Sequence, residues 1–354
     1  MRRWSIMTGF CLCILVTNAQ SQWNNESPAV WEYDLNAKRG TTLKSFDGID
    51  QTENIWHKTP REKAITYNSP NGKPQWFPET SGKGSTIQVR ANAAVVAKYT
   101  LLKNKENNAY GSLKIDATNG FHKFIIRDID ATKVTDVAKY SFTLKTHYKD
   151  GNGQVVNPSV ARSFYLVFGS NTTGLTRSAA TGVGSVFRGG AGINTTDAEP
   201  YSEAIFTTLR LPYVVNKPHM AFSYRKVTKK YTHTDGTGKA VFAAISSPNA
   251  SFQADGTSHQ VELYCNNSDK DQYYTAENTS VTVKPQTFHL WIDGNKIGEY
   301  DIANAGEASI STGKPLDSFM VYTSGKTDET GELGYGAIEL GDFKIDYVSA
   351  TKAK

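Results

Sequence analysis

Residues 287–300 read TFHLWIDGNKIGEY. Asp293-Gly294 stands between two β-rich runs, and an Asp-Gly pair in that setting is the strongest short-range hairpin signal, because both turn positions need positive φ. Working outward, comparable short runs recur with Gly, Asn and Asp between them. On the N-terminal side they include "STIQVRA" (85–91), "GSLKIDA" (111–117), "HKFIIRDI" (122–129), "YSFTLKTHYK" (140–149), "RSFYLVFG" (162–169), "HMAFSYRKV" (219–227), "AVFAAIS" (240–246) and "HQVELYCN" (259–266). Beyond the hairpin come "DSFMVYT" (317–323) and "AIELGDFKIDYV" (337–348). Helical periodicity is nearly absent. Many strands with turn signals between them specify an all-β fold, an antiparallel β-sandwich or jelly roll with long loops.

The first residues stand apart from this pattern. Met1-Arg2-Arg3 is basic, "IMTGFCLCILV" is apolar but short for a bilayer span, and "TNAQSQ" offers a cleavage site after Ala19. That is the layout of a secretory signal peptide, so residues 1–19 are expected to be removed and the protein to be secreted or periplasmic, with no membrane span. Removal takes Cys11 and Cys13 and leaves Cys265, which excludes a disulfide framework and a cysteine-based metal site. A lone thiol on the apolar side of a strand is a core residue.

The chain holds 39 Lys+Arg against 34 Asp+Glu, and loss of Arg2 and Arg3 lowers the formal net charge from +5 to +3. Such a balance is compatible with a polyanionic partner, while the absence of a Lys/Arg run argues against nucleic acid. Residues 20–354 show no linker and no internal repeat, so one large catalytic domain is expected, with two packed β domains as the alternative. Residues 170–204 and 46–84 read as long loops, which in compact domains are functional or disordered. The second holds Trp56, His57 and Trp76, an aromatic content that favours order.

The series "SHQVELYCNNS", "TFHLWIDGNKIG", "LDSFMVYTSG" and "ELGDFKIDYV" resembles the C-terminal half of concanavalin-like jelly rolls, found in laminin-G-like modules, glucanases and polysaccharide lyases. The likeness covers roughly residues 218–350. The E-x-D-x-x-E strand of the jelly-roll glucanases and agarases is absent, which disfavours hydrolysis by a carboxylate pair. "YLVFGSN" occupies the place of the Q-I-H strand of alginate lyases but has no His, and "FMVYTSG" that of their Y-x-Q strand, with Thr and Ser after Tyr322. Ulvan lyases of similar fold use a Lys and Tyr pair, and that pairing is available here.

Alternation along each strand sorts residues by face. With Phe142 and Leu144 inward, Lys145 and His147 fall on the other face. The same rule sets Tyr165 against Phe164 and Leu166, Arg225 and His219 against Phe222, Tyr264 and Asn266 against Leu263 and Cys265, and Tyr322 against Val321. Pooled, these faces are rich in Lys, His, Arg and Tyr and carry one carboxylate, Glu262. β-Elimination from a uronic acid wants that set: a base for the proton beside the carboxylate, an acid for the leaving oxygen, and cations or amides for the developing charge.

The expectation is therefore a polysaccharide lyase acting on an acidic, perhaps sulfated, uronic-acid polymer. Lys145 or His147 would be the base and Tyr264 the acid (or both), with Tyr322 as rival for the tyrosine role. Asn266 with Arg225 or Arg162 would neutralise the carboxylate, and Arg188, His219 and Trp76 would add substrate contacts. The alternatives are a non-catalytic glycan-binding protein and a hydrolase with an atypical carboxylate pair. The resemblance implies a structural calcium, for which Asp342 or Asp346 could serve, although no calcium-loop spacing is present. No cofactor is needed for the chemistry, and a monomer is expected.

Overall fold

The computed structural model describes residues 29–33, 55–58, 65–68, 86–91, 96–103, 110–116, 120–127, 129, 134–147, 162–170, 205–213, 219–227, 240–302, 310–325 and 337–348. The leader expected over residues 1–19 lies outside them. In chain order the strands are β1 (Ala29–Tyr33), β2 (Ile55–Lys58), β3 (Ile65–Asn68), β4 (Thr86–Ala91), β5 (Val96–Lys103), β6 (Tyr110–Asp116) and β7 (Gly120–Arg127). Next come β8 (Val137–His147), β9 (Arg162–Gly169), β10 (Ile205–Tyr213), β11 (His219–Ala221), β12 (Ser223–Val227), β13 (Ala240–Ala244) and β14 (Ser251–Gln253). The last are β15 (Asp255–Asn266), β16 (Gln272–Ala276), β17 (Thr279–Val283), β18 (Thr287–Ile292), β19 (Asn295–Asp301), β20 (Ser318–Gly325) and β21 (Ala337–Tyr347).

They form two antiparallel sheets. The first runs β19-β18-β15-β8-β21-β6-β5-β2, with β1 added along β21, and the second runs β13-β12-β10-β9-β20-β7-β4-β3, with β11 and β14 beside β10. A separate hairpin joins β16 to β17. Alternation works as expected on the inward side. Phe142 and Leu144 of β8, Leu263 and Cys265 of β15, Phe164, Leu166 and Phe168 of β9 and Phe319 and Val321 of β20 all enter one buried cluster. Rings from opposite sheets touch across it, Tyr140 to Phe168 at 4.8 Å and Phe319 to Phe343 at 4.4 Å between centroids. This is a β-sandwich.

The opening stretch is the β18–β19 hairpin, with Asp293 at φ 50° and Gly294 at φ 76° and Ile292 paired to Asn295. Both positive angles are those of a type I′ turn. The Asp293 carboxylate also accepts from Gln260 N–H at 2.8 Å, so the turn ties back to β15. Cys265 is free and fully buried, the core role read from its parity.

One expectation about loops changes, while residues 171–204 of the other lie outside the described residues. Residues 46–84 include strands β2 and β3. Directly after the 170–204 stretch stands β10, a strand that the sequence series passes over. Its alternation is broken by a register shift between Ile205 and Thr207 and by Pro212 near its end.

Candidate active site

The residues expected to form one constellation divide between the two outer faces of the sandwich. Lys145 lies on β8, opposite Ser258 of β15 and Glu339 of β21, on the outer side of the first sheet. Tyr322 and Arg225 lie on β20 and β12, on the outer side of the second. The buried core lies between them. Lys145 and His147 therefore do not share a face with Tyr322, Tyr165 or Arg225, and the single groove expected for them does not form. The physical reason is that period-two alternation tells inside from outside within a strand but is the same for both sheets.

Lys145 and His147 instead bracket a carboxylate. Lys145 Nζ donates to Glu339 Oε1 at 3.0 Å, His147 Nε2 lies 2.9 Å from Glu339 Oε2, and Ser112 Oγ also donates to Oε1. Burial alone would raise the Glu339 pKa, but hydrogen bonds from His147, Ser112 and Lys145 outweigh it and bring it to about 2. Gly256, at φ +88°, passes so close that a Cβ there would stand 3.2 Å from His147 Cε1. Lys145 and His147 are tied up in a carboxylate cluster that holds strands together.

Tyr264 is likewise withdrawn from any cleft. It is 2% exposed and stacks on Tyr274 of the β16–β17 hairpin with centroids 3.9 Å apart and planes 14° apart. Its hydroxyl donates to Glu262 at 3.2 Å, and Glu262 pairs with Lys139 at 2.6 Å. Around it, Trp291 Nε1 donates to the Tyr274 hydroxyl at 2.7 Å, and that hydroxyl stands 3.0 Å from His289 Nδ1. On its other side the His289 ring sets Nε2 3.4 Å from Glu299 Oε1. Burial lowers the His289 pKa to about 4.

Asn266 is fully buried and acts as a turn organiser. Its Nδ2 donates to the carbonyls of Lys270 at 2.8 Å and Val283 at 2.9 Å, while its Oδ1 accepts from Ser268 N–H and Ser268 Oγ. Every polar function is used at home, so the expected role at a substrate carboxylate is corrected to a structural one.

The outer face of the second sheet is where the remaining expected residues meet. Its register sets Arg90 of β4 opposite Lys123 of β7, Lys123 opposite Tyr322, Tyr322 opposite Tyr165, Tyr165 opposite Arg210 and Arg210 opposite Ser223. Residues opposite one another in an antiparallel pair share a face, so this is one row across six strands. At its centre the Tyr165 and Tyr322 rings lie 5.5 Å apart at 44°. Arg210 donates through Nε to Ser163 Oγ at 2.9 Å, and its guanidinium carbon is 6.0 Å from the Tyr165 ring centre. Ser163 belongs to the same face, two residues from Tyr165.

Arg225, two residues beyond Ser223 on the same face, is 1% exposed. Burial lowers its pKa to about 10, which leaves it charged at neutral pH. Beside this row lie Ile125, Val167 and Met320, all fully buried. The ten strands of this sheet contain no aspartate or glutamate. By alternation Arg127, Arg210 and Arg225 occupy outer positions. The strands of the first sheet, by contrast, mix acids such as Glu262, Glu299 and Glu339 with lysines. Arg210 is the residue that the sequence reading missed. The alternation of Leu209 and Leu211 was its signal, obscured by the bulge and by Pro212.

The other expected contacts are scattered. Arg162 opens β9 opposite Tyr213 and Gly325, on the core parity of Phe164, and His219 opens β11 opposite Gln253. Arg188 and Trp76 lie outside the described residues. Asp342 sits at a bulge in β21 with φ 49°, accepting from Thr143 at 3.5 Å, and Asp346 pairs with Lys344 at 2.9 Å. Among the described residues no group of three or more His, Cys, Asp or Glu converges. Nor, among the described residues, is any helix long and apolar enough to cross a membrane.

No family model and no curated protein sequence matches the chain. Among solved structures it is similar to a sialidase at 11% identity and a TM-score of 0.37, covering 74% of this chain and 17% of that one, so it spans about a sixth of the sialidase. It is also similar to alginate lyase vAL-1 from Chlorella virus, at 10% identity and a TM-score of 0.32 over 70% of this chain and 89% of that one. A laminarinase from Flavobacterium sp. UMI-01 gives 12% identity and a TM-score of 0.32 over 70% and 84%.

Proposed function

We propose that the protein is a secreted polysaccharide lyase that cleaves an acidic, uronic-acid-containing polymer by β-elimination on the outer face of the second sheet. One observation carries this reading: a tyrosine pair stands beside the Arg210 guanidinium in a sheet whose strands hold no carboxylate. Hydrolysis by the common route would need two carboxylates about 5–10 Å apart, and the strands of this face supply none. Elimination needs none. A tyrosine takes the proton beside the substrate carboxylate, the electron pair forms the carbon–carbon double bond, the glycosidic C–O bond breaks, and a phenol returns a proton to the leaving oxygen. Arg210 would stabilise the carboxylate as it gains enolate character, the contribution that is commonly largest. Tyr322 and Tyr165, rather than Lys145 and Tyr264, take the proton-transfer roles.

A second reading is a polyanion-binding protein without turnover; the burial of Tyr165 and Tyr322, 4% and 6% exposed, weighs against proton transfer by them. Incubation with ulvan, alginate, heparin, chondroitin sulfate, hyaluronan and pectate, followed by ultraviolet absorbance of the unsaturated product, separates the two. Absorbance that grows with wild type and is abolished by Tyr322→Phe supports elimination. Binding without any rise on any uronate polymer refutes it in favour of the second reading.

A further inference from the structure

We infer that the β16–β17 hairpin is an acid-released strap: it lies on the outer side of the first sheet while His289 beneath it is neutral, and it lifts about its base once His289 is protonated. The inference concerns the first sheet and is independent of the elimination proposed for the second. The hairpin forms a two-stranded sheet of its own, with Gln272 paired to Val283 at the base and Ala276 to Thr279 at the tip. A single isolated hairpin is marginal in water, so its order depends on what it touches. Its anchor is Tyr274. That ring stacks on Tyr264 and meets the His289 ring at 5.7 Å and 72° and the Trp291 ring at 6.1 Å and 74°. The base is tied separately. Asn266 Nδ2 reaches the Val283 carbonyl at 2.9 Å, Lys284 pairs with Asp271 at 2.7 Å, and Gln286 Nε2 donates to Asn267 Oδ1 at 2.7 Å. The body can therefore leave the sheet while the base stays.

His289 is 1% exposed, and a cation there is poorly received. On β15 it stands opposite Tyr264, with Glu262 two residues away, and on β19 it stands opposite Glu299, with Lys296 on the same strand. From the hairpin comes Tyr274. Both carboxylates are already engaged, Glu262 by Lys139 of β8 and the Tyr264 hydroxyl, Glu299 by Lys296. An imidazolium donates from both ring nitrogens, so Nδ1 would share the Tyr274 hydroxyl with Trp291 Nε1. Burial and Lys296 outweigh the attraction of Glu299 and hold the ring's pKa at about 4 while the hairpin is down. Lifting the hairpin returns the ring toward water and its ordinary value of 6.5. The sign follows from the depressed value. The strap holds fully above pH 6.5 and loses its hold as pH falls from there toward 4. The gap between the two values lets the lifted fraction rise on the order of 100-fold between pH 7 and pH 4.

The test is amide hydrogen exchange of the full chain, read by mass spectrometry at pH 7, 5 and 4 and corrected for the intrinsic pH dependence of exchange. Peptides covering residues 272–283 report the strap, and peptides covering β9 and β20 report the core. Opening of 272–283 should rise on the order of 100-fold from pH 7 to pH 4. It should respond little to sub-denaturing urea, as local opening does, and the core peptides should stay slower throughout. His289→Gln should flatten the pH dependence. Tyr274→Phe should speed strap exchange already at pH 7, since it removes the hydroxyl that meets both His289 and Trp291. Circular dichroism confirms that each variant is folded.

Should His289→Gln fail to fold, two variants at exposed positions of β19 decide instead. Lys296→Gln removes a cation that opposes the proton and should move release to higher pH. Glu299→Gln removes the anion that favours it and should move release to lower pH. Strap exchange that stays the same from pH 7 to pH 4 overturns the inference. So does strap exchange in step with the core at every pH, which is global unfolding, and so does an unchanged pH dependence in folded His289→Gln. A release pH that does not move in opposite directions in the two β19 variants overturns it as well.

Discussion

Replacing Glu339 by glutamine separates a structural role from a catalytic one for the lysine and histidine that it holds. Glu339 is 5% exposed and receives Lys145, His147 and Ser112. Its pKa falls from an ordinary 4.5 to about 2. At about 1.4 kcal/mol for each pH unit, a carboxyl so shifted contributes about 3 kcal/mol at neutral pH. Lys145 is 35% exposed on its side chain, so solvent screens part of that sum and the expected loss in Glu339→Gln is about 2 kcal/mol.

The sign follows from the depressed value. The stabilisation is full above pH 4.5 and disappears as pH falls through about 2. Urea denaturation of both proteins at several pH values is the assay. The gap between wild type and Glu339→Gln should be constant from pH 7 to about 5 and then close toward pH 2. A gap that stays constant down to pH 2.5, or no gap at pH 7, refutes the role assigned to this cluster. Turnover on any uronate polymer should be unaffected beyond what instability explains, because the cluster lies on the sheet away from the tyrosine pair.

Tyr165→Phe and Tyr322→Phe should each reduce formation of unsaturated product by about 100-fold or more, the usual scale for a proton-transfer group, while Tyr264→Phe leaves product formation unchanged in the same absorbance assay. Asn266→Ala should destabilise by about 2 kcal/mol in urea titration, since it leaves the Val283 carbonyl and the Ser268 N–H without this partner, while Ser268 Oγ still donates to the Lys270 carbonyl. His289, held neutral by burial with a pKa of about 4, makes the folded state bind fewer protons than the unfolded one between pH 6.5 and 4. Stability should therefore fall as pH drops through that window, and His289→Gln should remove this part of the dependence. Gly256→Ala should cost about 1–3 kcal/mol from the positive φ alone, read as a shift in the urea midpoint.

Strand alternation by itself made the core legible. Phe142, Leu144, Phe164, Leu166, Leu263, Cys265, Phe319 and Val321 all fall where their parity puts them. Alternation carries no information about which sheet a strand joins, and that decided the site. Lys145 and Tyr322 are both outward residues, yet their strands lie in different sheets. Tyr264 and Asn266 show a further limit. The β16–β17 hairpin folds over the outer side of β15 and creates a small second core of Val137, Tyr264, Tyr274, Val283 and Val348, so an outward parity became a buried position. Arg210 escaped notice because a bulge and a proline disguise its strand. The absence of acids from the second sheet was written in the sequence throughout, but it acquires meaning only once the register shows which strands are neighbours.

The position of β21 has a consequence for how the chain reaches this state. The last described strand is also an interior one, seated between β8 on one side and β6 with β1 on the other. Its partners on β8 stand near residue 140 and those on β1 near residue 30. The first sheet thus has a vacant middle until residues 337–347 have left the ribosome. Contacts so distant along the chain carry a large loop-closure cost, which places folding on the slow side of the range for single domains. The β15–β18–β19 meander, closed by the Asp293-Gly294 turn, is local enough to form early. It would wait as a half-built template for a strand that is synthesised late and completes the sheet.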